Sequence, residues 1–486
     1  MRRSDNGNQL LEGSILKHVV RLATPMIIAF AFITSYHYID RYFVSRLGDL
    51  ATDAIGLAFT LQIIIIAIGT GVGSGINSFV ARNIGAGNIR VAKNAIWHAL
   101  ALGIGIGLMI TVVGLLIERP LFRLLGAEGA ELRMILDYLT VILLFAPVSM
   151  TGVFANSLFQ GWGDTMSPMK FMLTGNLLNL ILDPLLIFGF GPYPDMGWFS
   201  RLLEHIPDPG AMLGMGDIPQ MGMMGAALAT GLGRTASLIY ILIRMFLQHR
   251  PVKLSPGDFQ PSREIVRGVF QVGAPSSLSQ ILNGVAMMFI FFVLDPFGVN
   301  AKAAYTIVFT YEMIIFLPVI GISQAVVILT GHNFGAQLFD RLRRTYRTGL
   351  MAASMMMIFS AGIIALWAPT FAGIFARSEA VLRIGIEALR IVAVGDMFIG
   401  IYMCSVASFQ GLGLGRQYLW ANLLRLYVLQ IPFALLGAYL FQLQGVWVAM
   451  AVVNIISAGA VYLWHQHLFR RWIVTGVVKP VREAME

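Results

Sequence analysis

The chain has 486 residues, of which 57% are hydrophobic and 12% are charged, and its formal net charge is +9. A soluble domain carries about 25% charged residues, so a water-soluble globular fold is excluded. Because lysine and arginine lie between apolar stretches, the positive charge indicates orientation in a membrane and not a nucleic-acid partner. Cys404 is the single cysteine, which excludes an internal disulfide.

Apolar stretches of about 20 residues, long enough to cross a bilayer as helices, recur along the whole chain. They predict an all-α integral membrane protein with about twelve transmembrane helices. The predicted spans are 15–45, 52–80, 94–117, 133–158, 170–189, 223–248, 265–294, 303–328, 349–369, 381–408, 418–440 and 447–468.

Arginine and lysine are concentrated in alternate connections, which include residues 82–93, 250–267 and 341–347, and in both termini. The opposite connections hold roughly half as many, and positively charged connections stay on the cytoplasmic side. The pattern predicts a multi-pass protein of the cell (inner) membrane with both termini in the cytoplasm.

Short motifs recur between the two halves of the chain. Three pairs are 250 residues apart: Pro25 with Pro275, NIGA at 83–86 with NFGA at 333–336, and FQGWG at 159–163 with FQGLG at 409–413. Beyond residue 190 the offset falls to 220, because GAALAT from Gly225 matches GVWVAM from Gly445. Such duplication is typical of transporters in which one helical bundle rocks against the other.

The repeat predicts two pseudo-symmetric six-helix bundles joined by a linker. The predicted units are an N-terminal lobe 1–248 with an outer-side insertion 191–222, a cytoplasmic linker 249–264, a C-terminal lobe 265–468 and a cytoplasmic tail 469–486.

Five motifs in chain order resemble those of the multidrug and toxic compound extrusion (MATE) family: LATPM at 22–26, ARNIGAGN at 81–88, NSLFQGWGDTMSPM at 156–169, NLLNLILDPLLIFG at 176–189 and GAALAT at 225–230. The resemblance covers nearly the whole chain. It implies a V-shaped pair of lobes and the exchange of drugs for H+ or Na+. An acid in the first span, with the Asn and Asp of the fifth, is similar to the DinF-like branch.

Acidic residues within spans are candidates for transport chemistry, because an ionised carboxylate is costly there and normally binds a proton, a cation or a substrate. The candidates are Asp40, Asp183, Glu312 and Asp396. In the fifth span Asn176, Asn179 and Asp183 are three and four residues apart, so their side chains share one helical face.

Polar residues of two other spans lie at about the same depth in the membrane as this face. Counted at about 1.5 Å per residue, Asp40, Asp183 and Thr230 lie at similar depths in the outer half of the membrane. The resemblance implies one ion-coupling and substrate-binding network in the N-terminal lobe, formed by Tyr36, Asp40, Asn156, Asn179, Asp183 and Thr230. On a straight fourth span, Asn156 would lie towards the cytoplasmic end, away from the others.

The second half of the chain is an internal control for this network. Asp40 aligns with Ile290 and Asp183 aligns with Phe433, so the repeated scaffold does not need either acid. This favours a functional role. The alternative is that both acids are interface residues near helix ends, or that Asp40 pairs with Arg41.

Two acids belong to the second half alone. Asp396 aligns with Ala146 and Glu312 with Gln62, and Asp396 is a further candidate for binding a cation or substrate. Glu312 is a weaker candidate because it can reach an interface. An acid in the seventh span, which the resemblance leads one to expect in the Na+ branch, is absent.

These patterns predict a secondary active antiporter that exports small cationic or amphiphilic drugs or toxic compounds by alternating access. No phosphate-binding loop, HExxH pair or serine elbow is present, so we expect neither an enzyme nor a cofactor. The coupling ion is H+ or Na+, and Na+ would bind at Asp40 and Asp183. We expect a functional monomer in contact with membrane lipid.

The alternative function is a lipid-linked sugar or lipid flippase of the wider superfamily. Arginines within the spans keep it open: Arg234, Arg244, Arg390 and Arg425.

Overall fold

The computed structural model describes residues 10–189, 220–248 and 250–475, and every regular element within these ranges is a helix. The first half contains α1 Ile15–Ser45, α2 Asp49–Gly85, α3 Ile89–Leu124, α4 Gly129–Leu144, α5 Ala146–Gly161, α6 Met166–Phe188 and α7 Gly222–Leu242. The second half contains α8 Arg263–Leu294, α9 Gly298–Gly335, α10 Phe339–Leu366, α11 Ala368–Phe375, α12 Glu379–Asp396, α13 Ile399–Gly411, α14 Gly415–Leu423 and α15 Ile431–Thr475.

The described helices account for the predicted number of crossings. Eight helical segments are long and apolar enough to span a bilayer, and two bent pairs, α4 with α5 and α12 with α13, add one span each. Two of the eight segments hold two crossings: 263–335 is interrupted by a 3-10 turn at Asp295–Phe297, and 415–471 is interrupted at Phe441 and Gln442. The all-α fold with twelve transmembrane helices is confirmed.

The backbone repeats at the spacing found in the sequence. Residues with positive φ recur 250 positions apart: Gly48 at 109° with Gly298 at 81°, Gly87 at 76° with Gln337 at 58°, and Gly163 at 83° with Gly413 at 81°. Pro25 and Pro275 both lie inside the first helix of their half. Equivalent turns therefore connect equivalent helices in the two lobes.

The fourth and tenth spans are bent, by 51° and 46°. The fourth span is therefore not straight, so the condition under which Asn156 would lie away from the other site residues is not met. In the fourth span, Pro147 stands in the first turn of α5, and a proline there cannot donate the backbone hydrogen bond that would continue α4. The corresponding bend between α12 and α13 contains no proline, so the sequence does not indicate it as clearly.

Among the described residues there are two large hydrophobic cores and one small cluster, and the two large cores exchange the ends of two helices. Val19 and Leu22 of α1 belong to the core of the second half, whereas Phe43 of the same helix belongs to the core of the first. The repeat-related helix α8 does the reverse, since Ile265 packs in the first core and Ile290 in the second. The lobes are therefore interlocked through the arginine-rich ends of α1 and α8, whereas the opposite end of each helix packs in its own lobe. This arrangement agrees with the expected V.

Glycines allow the closest approach between the lobes. A Cβ atom at Gly85 of α2 would overlap the carbonyl oxygen of His332 in α9, and one at Gly335 would overlap that of Arg82. Gly85 and Gly335 are repeat-related. His332 Nε2 also lies 3.0 Å from the carbonyl oxygen of Gly161 in the other lobe. Glycines thus allow the backbones of α2 and α9 to touch at the vertex of the V.

Several predicted segments fall partly or wholly outside the described residues. Of the insertion 191–222, only 220–222 are described, and residues 1–9 and 476–486 lie outside as well. The linker 249–264 contains a 3-10 turn at Pro256–Asp258. The last helix continues to Thr475, so the part of the predicted tail that is described is helical.

Candidate functional site

Helix α6 provides the centre of a polar network in the N-terminal lobe. Asn179 and Asp183 lie on one face of α6, as predicted, and both are buried. The Asn179 Nδ2 group donates to Asp183 Oδ1 at 3.2 Å and to Thr230 Oγ1 of α7 at 3.3 Å. One amide therefore connects the acid of the fifth span with the hydroxyl of the sixth.

Asp40 reaches this network from α1, which packs against α6. Its side chain is buried and lies near enough to Asp183 for the two carboxylates to interact electrostatically. Among the described residues, Asp40 forms no salt bridge. The Arg41 guanidinium instead lies 5.8 Å from the ring centroid of Phe59. Arg41 thus interacts with Asp40 electrostatically but does not form the close ion pair of the alternative among the described residues.

Buried polar atoms of this network have no hydrogen-bond partner among the described residues. They are the oxygens Asp40 Oδ1, Asn179 Oδ1 and Asp183 Oδ2 and the nitrogen Asn176 Nδ2. Leaving a buried polar atom unpaired costs about 1–3 kcal/mol, and more for a charged group. Three unpaired oxygens in interacting residues are hard ligands of the type that bind a proton or an alkali cation.

Three of the predicted site residues in this lobe are not joined to the network by a described contact: Asn176, which is placed there only by its position on α6, Asn156 and Tyr36. Asn156 is buried in α5, and its Oδ1 atom has no partner among the described residues. Gly152, one turn earlier, lies against Phe171 of α6, and Phe171 precedes Asn179 by about two helical turns. The side chain of Tyr36 lies outside the described residues, so its predicted place beside Asp40 stays a prediction.

The structure adds residues to the network that sequence reasoning did not assign to it. Arg234 of α7 interacts electrostatically with Asp40, and its Nη1 donates to Ser149 Oγ at 3.1 Å. Tyr138 of α4 interacts with both acids and contacts Gln62. The signal for Arg234 was available, because it follows Thr230 by one helical turn. The bend between α4 and α5 was needed to bring Ser149 to Arg234.

Asp396 belongs to a separate network in the C-terminal lobe. Asn454 Nδ2 donates to Asp396 Oδ1 at 3.0 Å, and Arg425 Nη2 donates to Asn454 Oδ1 at 3.0 Å. Glu312 and Arg425 both interact electrostatically with Asp396. The Arg425 guanidinium also stacks on Tyr402, 5.1 Å from its ring centroid. This acid is thus placed beside a positive side chain, and no described contact joins it to Asp40 or Asp183.

The second half has apolar residues at the positions equivalent to the two acids and the linking amide: Ile290 for Asp40, Leu429 for Asn179 and Phe433 for Asp183. Ile290 is buried in the hydrophobic core where the first half has Asp40. Within the described ranges there is no group of three or more His, Cys, Asp or Glu residues that could hold a metal ion. An alkali cation in the N-terminal lobe would therefore depend on two carboxylates together with amide and hydroxyl oxygens.

The MatE family model matches residues 25–185 and again residues 275–436. The chain belongs to the MatE family. Both MatE matches begin at the repeated proline, and they start 250 residues apart, like the motif pairs and the repeated turns.

The MatE relatives are transporters. The chain is 26% identical to a FAD transporter of Shewanella oneidensis, over 94% of this chain and 96% of that one. It is 24% identical to the multidrug export protein MepA of Staphylococcus aureus, over 92% of this chain and 93% of that one. These MatE relatives support transport and not intramembrane catalysis, as predicted.

Solved MatE structures share the fold along almost the entire chain. An outward-facing multidrug resistance MATE family transporter of the MOP superfamily matches with a TM-score of 0.86 and 31% identity, covering 96% of this chain and 99% of that one. A MOP superfamily transporter from Pyrococcus furiosus, described as having a binding pocket of reversed polarity, matches with a TM-score of 0.84 and 30% identity, covering 97% of this chain and 98% of that one.

Proposed function

We propose that this MatE protein is a secondary antiporter that exports small cationic or amphiphilic molecules in exchange for H+ or Na+. The observation that carries the proposal is the set of unpaired carboxylate and amide oxygens on Asp40, Asn179 and Asp183 in one buried network. A proton or Na+ would complete the contacts of these oxygens and reduce the repulsion between the two carboxylates.

Coupling follows from competition for the same negative charge. A proton or Na+ at Asp40 and Asp183 neutralises the N-terminal lobe, and a cationic substrate then binds it less tightly. Linkage is reciprocal, so bound substrate weakens ion binding by the same factor. The difference between the lobes supports ion coupling in the N-terminal lobe, because the second half has Ile290 and Phe433 at the positions of the two acids.

The fold provides two sides for the exchange. The lobes meet at the arginine-rich end of the V and separate at the other, and an inward-open state would require the reverse arrangement. We infer that the arginine-rich side is cytoplasmic, with both termini on that side of the inner membrane. The acid of α1 and the Asn–Asp pair of α6 support assignment to the DinF-like branch, and a single chain contains both lobes of the transport unit.

The relatives suggest two classes of substrate for this chain, drugs and FAD. One relative is a multidrug exporter and another a FAD transporter. Two carboxylates at the N-terminal site favour a cationic molecule, because an anion would be repelled unless both acids were neutralised. An export assay should therefore compare a fluorescent cationic dye with FAD.

The test is transport by the purified full chain in proteoliposomes, with pH and Na+ gradients imposed separately and without ATP. We expect counterflow of the cationic dye to be driven by one of the two gradients and abolished when that gradient is dissipated. Dye movement that is unchanged when both gradients are removed would rule out antiport. Transfer of a lipid-linked sugar without export of dye or FAD would support the flippase alternative instead.

A further inference from the structure

A basic cavity lies at the arginine-rich end of the N-terminal lobe, away from the polar network. Its volume is 160 Å³, and its charged lining consists of Arg21 of α1, Asp164, Arg244 and Arg250. Three arginines and one aspartate give the lining a formal charge of +2. The cavity also includes Thr165 and Met166 at the start of α6, where the helix dipole adds positive potential.

Arg244 and Asp164 hold the cavity in shape. Asp164 accepts from the Ser167 backbone N–H at 3.0 Å and from the Ser167 hydroxyl at 2.7 Å. Arg244 donates to the same hydroxyl through Nη2 at 3.0 Å, and its Nη2 atom lies 3.8 Å from Asp164 Oδ2. The negative charge of Asp164 is therefore already engaged within the wall.

Arg21 and Arg250 remain available to a ligand. Neither side chain has a hydrogen-bond or ion-pair partner among the described residues, and both are exposed. The backbone N–H of Arg250 donates to the carbonyl oxygen of Arg244 at 3.0 Å. This bond follows the π-helical turn Ile243–Leu247. It keeps Arg250 close to Arg244, and both of these residues line the cavity.

One exposed apolar side chain lines the cavity, and two others lie close to its lining residues in the sequence. Val20 is 55% exposed, Met166 50% and Leu247 73%. Met166 is part of the lining itself, and Val20 precedes the lining residue Arg21. Leu247 lies three residues from Arg244 and three from Arg250. A site with cationic walls and an apolar rim at the end of a transmembrane bundle has the chemistry of a phospholipid headgroup with its acyl chains. A free phosphate ion would use the arginines but not the rim.

The repeated scaffold does not require this cluster. In the second half Gln271 stands at the position of Arg21, Leu414 at that of Asp164, and Trp464 at that of Arg244. Gly163 and Gly413 nevertheless have the same backbone conformation, with φ of 83° and 81°. Arg470 stands at the position of Arg250. The turn and this arginine are thus common to both lobes, whereas the charges of Arg21, Asp164 and Arg244 occur in the first lobe alone.

We propose that this cavity binds the phosphate group of an anionic phospholipid on the arginine-rich side of the membrane, with Arg21 and Arg250 contacting the phosphate. Arg244, paired with Asp164, forms the wall behind them. The excess positive charge favours a headgroup such as phosphatidylglycerol over phosphatidylcholine, whose choline cation would be repelled.

The experiment is a native mass spectrometry titration of the delipidated full chain with short-chain phosphatidylglycerol or phosphatidylcholine. We expect wild type to retain phosphatidylglycerol preferentially, and the double variant Arg21→Gln/Arg250→Gln to bind it roughly 25-fold more weakly, about fivefold for each arginine removed. The matched control is Arg416→Gln, an exposed arginine at the repeat-related position of Met166 in the other lobe, which should leave the preference intact.

The outcomes separate the lipid site from simpler explanations. Equal retention of the two lipids by wild type would overturn the proposal, as would undiminished binding by the double variant or an equal loss in Arg416→Gln. Inorganic phosphate that raises the unfolding temperature as much as the anionic lipid would overturn the lipid assignment. The single variant Arg250→Gln, at a side chain without a described partner, keeps the test decisive should the double variant fail to fold.

Discussion

At the scale of single residues, Asn179 is the junction of the N-terminal network. Its Nδ2 group donates both to Asp183 and to Thr230, while its Oδ1 atom is buried without a partner. The two hydrogen bonds of the Nδ2 group fix the orientation of the amide, and they therefore also fix the position of its unpaired oxygen. A protonated carboxyl or a cation beside it would find a prepared acceptor, which limits reorganisation when the coupling ion binds.

The first residue-scale prediction concerns the two acids of this network. Asp40→Asn and Asp183→Asn each remove one negative charge and preserve the shape of the side chain. A hydrogen bond or ligand contact of a charged group contributes about 1.5–3 kcal/mol, so ion-dependent binding should weaken roughly tenfold or more in each variant. Both proteins should reach wild-type abundance, and their dye export should no longer respond to the driving gradient in proteoliposomes.

Matched controls come from the second half of the chain. Ile290→Asn and Phe433→Asn place the same amide at the repeat-related positions. Ile290 is buried in the hydrophobic core, so this change should lower the unfolding temperature, while the ion dependence of the transport that remains should be retained. Wild-type export with unchanged pH and Na+ dependence in both Asp→Asn variants would exclude the N-terminal site and direct attention to Asp396.

At the scale of elements, α2 and α9 form the contact that closes the vertex of the V. Their glycines, Gly85 and Gly335, each leave no room for a Cβ atom because a backbone oxygen of the other lobe lies against them. Backbone oxygens cannot move aside as a flexible side chain can. The closed vertex therefore depends on the absence of side chains at two equivalent positions.

Alanine substitution should reveal this dependence. Gly85→Ala and Gly335→Ala should each weaken the vertex by about 1–3 kcal/mol, because the added methyl group forces two backbones apart. Gly105→Ala is the matched control, since a Cβ there meets nothing within 4 Å and alanine favours a helix by up to about 1 kcal/mol. Unfolding temperatures in detergent, with dye export as a second readout, measure the difference. Equal stability of Gly85→Ala and Gly105→Ala would contradict the close packing.

At the scale of the whole molecule, the orientation in the membrane decides which way substrate moves. The described connections at Asn88 and Ser255 lie on the arginine-rich side, whereas Glu128 lies in the connection between α3 and α4 on the opposite side. Positively charged connections remain in the cytoplasm during insertion. The V would then open to the outside of the cell.

Cysteine accessibility tests this orientation. In a Cys404→Ala background, whose removed thiol is buried, single cysteines at Asn88 and Ser255 should resist an impermeant thiol reagent in intact cells, and one at Glu128 should react. Permeabilised cells provide the control, because all three should then be labelled. Labelling of Ser255 in intact cells would reverse the topology and the direction of transport.

The sequence alone determined the membrane-spanning class, the twelve crossings and the duplicated lobes. Composition and apolar stretches are local properties, and a repeat can be found wherever motifs recur at one spacing, as with Pro25 and Pro275. The stripe of Asn179 and Asp183 was also predictable, because helical periodicity places residues four apart on one face. Thr230 contacts this stripe, and counting residues from the ends of the spans had placed it at the same depth in the membrane.

Only the tertiary structure decided which separate helices meet. The place of Arg234 beside Asp40 depends on the packing of α7 against α1, and its hydrogen bond to Ser149 depends on the 51° bend of the fourth span. The exchange of α1 and α8 between the two cores was equally invisible, because each helix carries apolar residues at both ends that could pack in either core. Periodicity fixes the face of one helix, but the partner of that face is chosen by shape and packing across the whole bundle.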